Sequence, residues 1–98
     1  MKVIETKQGY KVIKANSEDF KLIGCGFLEK GNHVLVCDDS NVEIPNGEEC
    51  YYIPVLNRIL CKKEFDRWEG NAKYYPEDIV YEERYLKMYT DLFNKIEL

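Results

Sequence analysis

The chain is short of the groups that catalysis draws on, and it lacks any segment that would carry it into a membrane. One histidine among 98 residues leaves few nucleophile–base arrangements, because a serine or cysteine nucleophile needs a base within hydrogen-bond reach. In the hairpin expected around residues 29–32, His33 faces Leu28 or Glu29 and stands about 10 Å or more from Cys25 at ~3.3 Å per residue, too far for a hydrogen bond. Gly24-Cys25-Gly26 falls well short of a phosphate-cradling loop. The adjacent carboxylates Asp38/Asp39, Glu48/Glu49 and Glu82/Glu83 diverge whether they lie on a strand or on a helix. The expectation is a protein that is not an enzyme.

No apolar run approaches the roughly 18 residues that span a bilayer, and the opening Met1-Lys2-Val3-Ile4-Glu5-Thr6-Lys7 has no apolar core of a secretion signal. A cytoplasmic protein with no membrane partner is expected. Cys25, Cys37, Cys50 and Cys61 then read as reduced thiols or metal ligands rather than disulfides.

What is present suffices for one domain with its own core. Hydrophobic residues make up 45% of the chain, which argues against disorder. The pattern predicts an α+β fold over residues 1–98, with β-hairpins in 1–36, a finger-like segment in 37–70 and an amphipathic helix in 76–96. Val3-Ile4 and residues 10–13 flank Lys7-Gln8-Gly9, a first hairpin whose turn uses the positive φ open to Gly9. After a polar break at 16–19, residues 20–28 and 33–37 read as a second hairpin, with Gly24 and Gly26 marking a bulge or a close backbone approach. Asn46-Gly47 predicts a third turn pairing 42–44 with 50–53, Pro54 ends that pairing, and 58–60 adds a short strand. Residues 62–69 read as a short helix with Trp68 as its core anchor and Gly70 as its stop. Pro76, Glu77 and Asp78 open a longer helix. Its apolar face combines a stripe of Tyr81, Tyr85, Met88, Leu92 and Ile96 with an adjoining stripe of Leu86, Tyr89 and Phe93, read as packing against the sheet.

The cysteine spacing carries the most specific signal. Cys37-Asp38-Asp39-Ser40 and Cys61-Lys62-Lys63-Glu64 each begin as a CxxC knuckle would, and the twenty residues 41–60 between them match a paired zinc motif. Residues 37–68, about a third of the chain, resemble a degenerate treble-clef or zinc-ribbon-like finger of the kind found in small proteins, including those of phages and mobile elements. The resemblance implies a knuckle, a hairpin and a short helix opened by the second cysteine, with Ser40 and Glu64 standing where two thiolates would be. Zinc would then rest on Cys37, Cys61 and substitutes drawn from Glu64, Asp38, Asp39, His33 or Cys50, since carboxylates and imidazole are acceptable ligands. The metal-free alternative, with no cofactor, is preferred because serine is a poor ligand. Cys37 and Cys61 become small buried hydrophobes, and Glu64 becomes a third-position carboxylate that complements the helix start.

The eight tyrosines exceed what such a core needs and suit an interface. The leading functional reading is a small protein-binding module, such as a phage or mobile-element accessory protein. Tyr51, Tyr52, Tyr74, Tyr75 and Tyr81 would serve as anchors, and Glu82 and Glu83 would meet a basic partner. A second reading is an acidic inhibitor or nucleic-acid mimic, for example an anti-defence protein, that fills a basic groove with Glu69, Glu77, Asp78, Glu82, Glu83 and Asp91. The net charge of −4 is modest for that task. A third is a zinc-dependent binding domain. Direct nucleic-acid binding is disfavoured, because residues 64–98 hold nine acidic and five basic groups and repel a phosphate backbone.

Overall fold

Short β-rich runs separated by turn residues build a four-stranded antiparallel sheet in the computed structural model, which describes residues 1–96. Strands β1 (Lys2–Glu5) and β2 (Lys11–Asn16) form the expected first hairpin in the register Lys2↔Lys14 to Glu5↔Lys11. Gly9, at φ +105°, donates its N–H to the Thr6 carbonyl at 2.9 Å and closes the turn.

The predicted polar break is instead the start of a helix, α1 (Ser17–Leu22). The Asn16 side-chain oxygen accepts the Glu18 N–H at 2.9 Å, and Glu18 and Asp19 occupy the first turn, where carboxylates complement the dipole. Phe20, read as strand, is the apolar residue this short helix buries completely, along with Ser17 at its start. Only the tip of the second hairpin survives, as β3 (Phe27–Glu29) and β4 (Asn32–Val34), with Leu28 opposite His33. Gly26 supplies the close approach that the glycines suggested: a Cβ there would collide with the Val34 carbonyl oxygen.

The hairpin expected at Asn46-Gly47 does not form. Val36 bridges Glu43, and the Ile44 N–H reaches the Leu35 carbonyl at 2.7 Å. Strand β5 (Glu49–Ile53) pairs on one side with β2 and on the other with β6 (Arg58–Cys61), so the sheet order is β1-β2-β5-β6. Cys50, Tyr51, Tyr52 and Ile53 are all buried. A strand apolar on both faces belongs at the centre of a covered sheet, which leaves residues 42–44 no edge of β5 to pair with.

Helix α2 (Lys62–Asn71) starts at Cys61 as N-cap, puts Glu64 at its third position and runs through Gly70 instead of stopping there. A 3₁₀ turn at Pro76–Asp78 leads into α3 (Ile79–Ile96). The two helices cover opposite faces of the sheet. Tyr51 stacks on Phe65 of α2 at 4.2 Å between ring centroids, and its neighbour Tyr52 stacks on Tyr89 of α3 at 3.6 Å. Phe93 meets Phe20 edge-on at 5.2 Å. These ring contacts set the rotation of α3: Glu82, Tyr85, Leu86, Tyr89 and Phe93 turn inward, while Tyr81, Met88 and Ile96 of the other predicted stripe stay exposed. Phe65, not the half-buried Trp68, is the buried anchor of α2. Among the described residues no helix is long and apolar enough to cross a membrane.

Candidate functional site

Of the seven residues expected to bind a partner, three are inside. Tyr51 and Tyr52 are core residues held in the ring stacks just described. The alternation of strand side chains sends one to each face, and both faces are covered. Glu82, only 7% exposed, accepts the Lys11 N–H at 3.1 Å. Burial pushes its carboxyl above the usual range, against the Lys11 N–H and the Lys11 charge, with Glu5 and Glu83 adding to the rise. It caps the start of β2 and offers nothing to a basic partner.

Tyr74, Tyr75, Tyr81 and Glu83 are exposed. Tyr74 and Tyr75 sit on a connector fixed by Tyr10. The Tyr10 hydroxyl has the Lys73 carbonyl and Asp78 Oδ2 as acceptors, each at 2.9 Å, and accepts the Tyr75 N–H at 3.1 Å. Burial, ahead of the Asp78 bond and charge, raises its pKa despite the Tyr75 bond. Tyr75 borders a small cleft of about 210 Å³ shared with Val55, Leu56 and Trp68. Tyr81 lies elsewhere on α3, about two helical turns before Met88, which lines a larger groove.

That groove, of about 450 Å³, runs between α3 and the chain that links α1 to β3. Its walls are Met88 and Leu92 on one side and Ile23 and Phe27 on the other, and the stacked pair Tyr52–Tyr89 contributes to its lining. Phe27 is 49% and Met88 45% exposed, so both lips are apolar and open to solvent. The polar groups in the groove are paired with one another. The Tyr52 hydroxyl donates to Asn57 Oδ1 at 2.6 Å, Asp38 Oδ2 accepts the Ile59 N–H at 2.7 Å, and the Cys25 thiol and the Tyr89 hydroxyl are hydrogen-bonded. Burial raises the pKa of Tyr52, pushes that of Tyr89 up to about 12 and raises that of the Cys25 thiol, so these three stay neutral near pH 7. Such a lining favours an apolar occupant.

The residues of the finger-like segment are arranged as follows. Cys37 and Cys50 are buried, whereas Cys25 and Cys61 are half-buried. Burial would raise the Cys37 pKa, but the Ser40 hydroxyl and the N–H groups of Cys61, Ser40 and Asp39 bond its sulfur and the net shift is downward. Cys50 has no such help, and burial first, then the neighbouring Cys25, Cys61 and Cys37, pushes it up to about 12. Glu64 pairs with Arg67 at 3.7 Å, Asp39 pairs with Arg58 at 2.9 Å, and the His33 ring reaches the Cys25 carbonyl at 2.8 Å. Among the described residues no three His, Cys, Asp or Glu side chains are placed to hold a metal.

Sequence reasoning missed the groove because Phe27 and Met88 carry the same periodic signal as core residues. Whether an apolar stripe is covered depends on the rotation of α3, which the Tyr52–Tyr89 and Phe20–Phe93 contacts fix. No protein-family model matches the chain, and no curated protein or solved structure is significantly similar to it.

Proposed function

We propose that this chain is a non-enzymatic protein-binding module that receives apolar side chains of a partner protein in the groove beside α3. The observation that carries this reading is the exposure of Phe27 and Met88 as two lips of one apolar groove. A volume of about 450 Å³ lies within the ~300–1,000 Å³ of ordinary ligand pockets. The helical stripe of α3 that holds Met88 also exposes Tyr81 and Ile96. A small ligand would leave that surface uncovered, whereas a protein partner covers it while inserting one or two anchors. Tyr81 is the one aromatic anchor expected from sequence that this surface retains.

The test is affinity capture from extracts of the source cell with the wild-type chain and with Phe27→Asp and Met88→Asp, the folding of each variant being checked by thermal melting. A protein retained in stoichiometric yield by the wild type should be lost from both variants and kept by Tyr75→Ala, which leaves the groove intact. Undiminished retention by the two groove variants would overturn the reading.

A further inference from the structure

The four cysteines take no part in the proposed docking surface apart from Cys25, which lines the groove, and two of them stand in a geometry with chemical consequences. Cys50 on β5 lies directly opposite Cys61 on β6. Whether two such side chains can touch depends on the type of pair. Ile59 donates its N–H to Asp38 Oδ2 at 2.7 Å, and its carbonyl accepts the Asp38 N–H at 2.9 Å. Both backbone groups of Ile59 therefore point away from β5. In an antiparallel ladder this orientation repeats every second residue, so those of Cys61 point outward too, and its N–H indeed bonds the Cys37 sulfur. Cys50 and Cys61 are thus a non-hydrogen-bonded pair, the type with Cα atoms about 4.5 Å apart and side chains closest on a common face. That separation falls inside the ~4.4–6.8 Å that disulfides bridge. Cys61 is half-buried while Cys50 is buried, which makes Cys61 the more accessible residue of the two.

We propose that Cys50 and Cys61 are a site of reversible oxidation, closing to a cross-strand disulfide when a peroxide reaches Cys61. The Cys61 sulfur attacks one peroxide oxygen, the O–O bond breaks, and the other oxygen leaves as water with the thiol proton, giving a sulfenic acid. The Cys50 sulfur then attacks the Cys61 sulfur, the S–O bond breaks, and a second water leaves with the Cys50 proton. Two thiols lose two electrons and two protons in all, and one peroxide is reduced to two waters. An added thiol reverses the reaction by exchange.

The test uses the full chain, reduced, freed of reductant and treated with an equimolar amount of hydrogen peroxide, followed by alkylation of the remaining thiols and peptide mapping. The expected result is one linked peptide joining Cys50 to Cys61, with Cys25 and Cys37 alkylated and all four thiols restored by dithiothreitol. In Cys50→Ser, the oxidation should stop at a Cys61 sulfenic acid that dimedone traps. A Cys25–Cys50 or Cys37–Cys61 link, a link between two molecules, or four thiols still alkylated in the wild type would each overturn the proposal.

Discussion

Tyr51 and Tyr52 show at the scale of single residues why an abundant residue type is a poor guide to a surface. Their rings stack on Phe65 and Tyr89, and a tyrosine whose hydroxyl finds a partner, as Tyr52 does in Asn57, packs like any large apolar side chain. The same contrast separates Phe65 from Trp68 on α2. Phe65 is buried and Trp68 half-buried, so Phe65→Ala is expected to cost about 3–5 kcal/mol and Trp68→Ala about 1–2 kcal/mol, measured by denaturant unfolding. The reverse order would place the anchor where the sequence pattern put it. Glu82 gives a pH-dependent prediction. Its carboxyl holds a proton more tightly folded than unfolded, so its ionised form lowers stability above the folded pKa. That penalty fades as pH falls through the folded pKa and is gone below the ordinary carboxylate range. Glu82→Gln, which keeps an oxygen acceptor for the Lys11 N–H, should therefore melt at or above the wild-type temperature at pH 7, the difference vanishing near pH 4. A Glu82→Gln variant less stable than wild type at pH 7 would contradict this.

Among the elements, the first hairpin, β6, α2 and α3 were legible because each has a periodic apolar run bounded by its own turn or cap residues. Helix α1 was not, since six residues give less than two turns of periodicity and its strongest mark, the Asn16 cap, reads equally as a loop. The pairing of β5 was illegible for another reason: Asn46-Gly47 is a local hairpin signal, and burial of both faces of β5 overrode it. Gly26 and Gly24 allow a test of local strain. Both have positive φ, but only at Gly26 would a Cβ strike backbone, whereas the space at Gly24 is open. Gly24→Ala should cost about 1–2 kcal/mol from the left-handed conformation alone. Gly26→Ala should cost more and distort the β3–β4 hairpin, as read by unfolding curves and amide exchange. Equal effects would mean that the Val34 carbonyl moves freely aside.

For the molecule as a whole, the four-stranded sheet and the helices α1, α2 and α3 close an apolar core of rings and aliphatic side chains. Cys37 sits in that core with its sulfur bonded by Ser40 and by backbone N–H groups. Treatment with a chelator is accordingly expected to leave the melting temperature unchanged, and elemental analysis should find well under one zinc per chain; unfolding on chelation would show that a metal completes the fold. The central claim concerns the groove beside α3, and the most direct measurement is the dissociation rate of the captured partner from wild type, Phe27→Ala and Met88→Ala at low and high salt. If desolvated apolar contacts hold the complex, each variant raises the dissociation rate about tenfold, equivalent to ~1.4 kcal/mol, and salt changes it little. Unchanged dissociation from both variants, with an association rate that falls steeply as salt rises, would contradict the account and return the interaction to the exposed carboxylates.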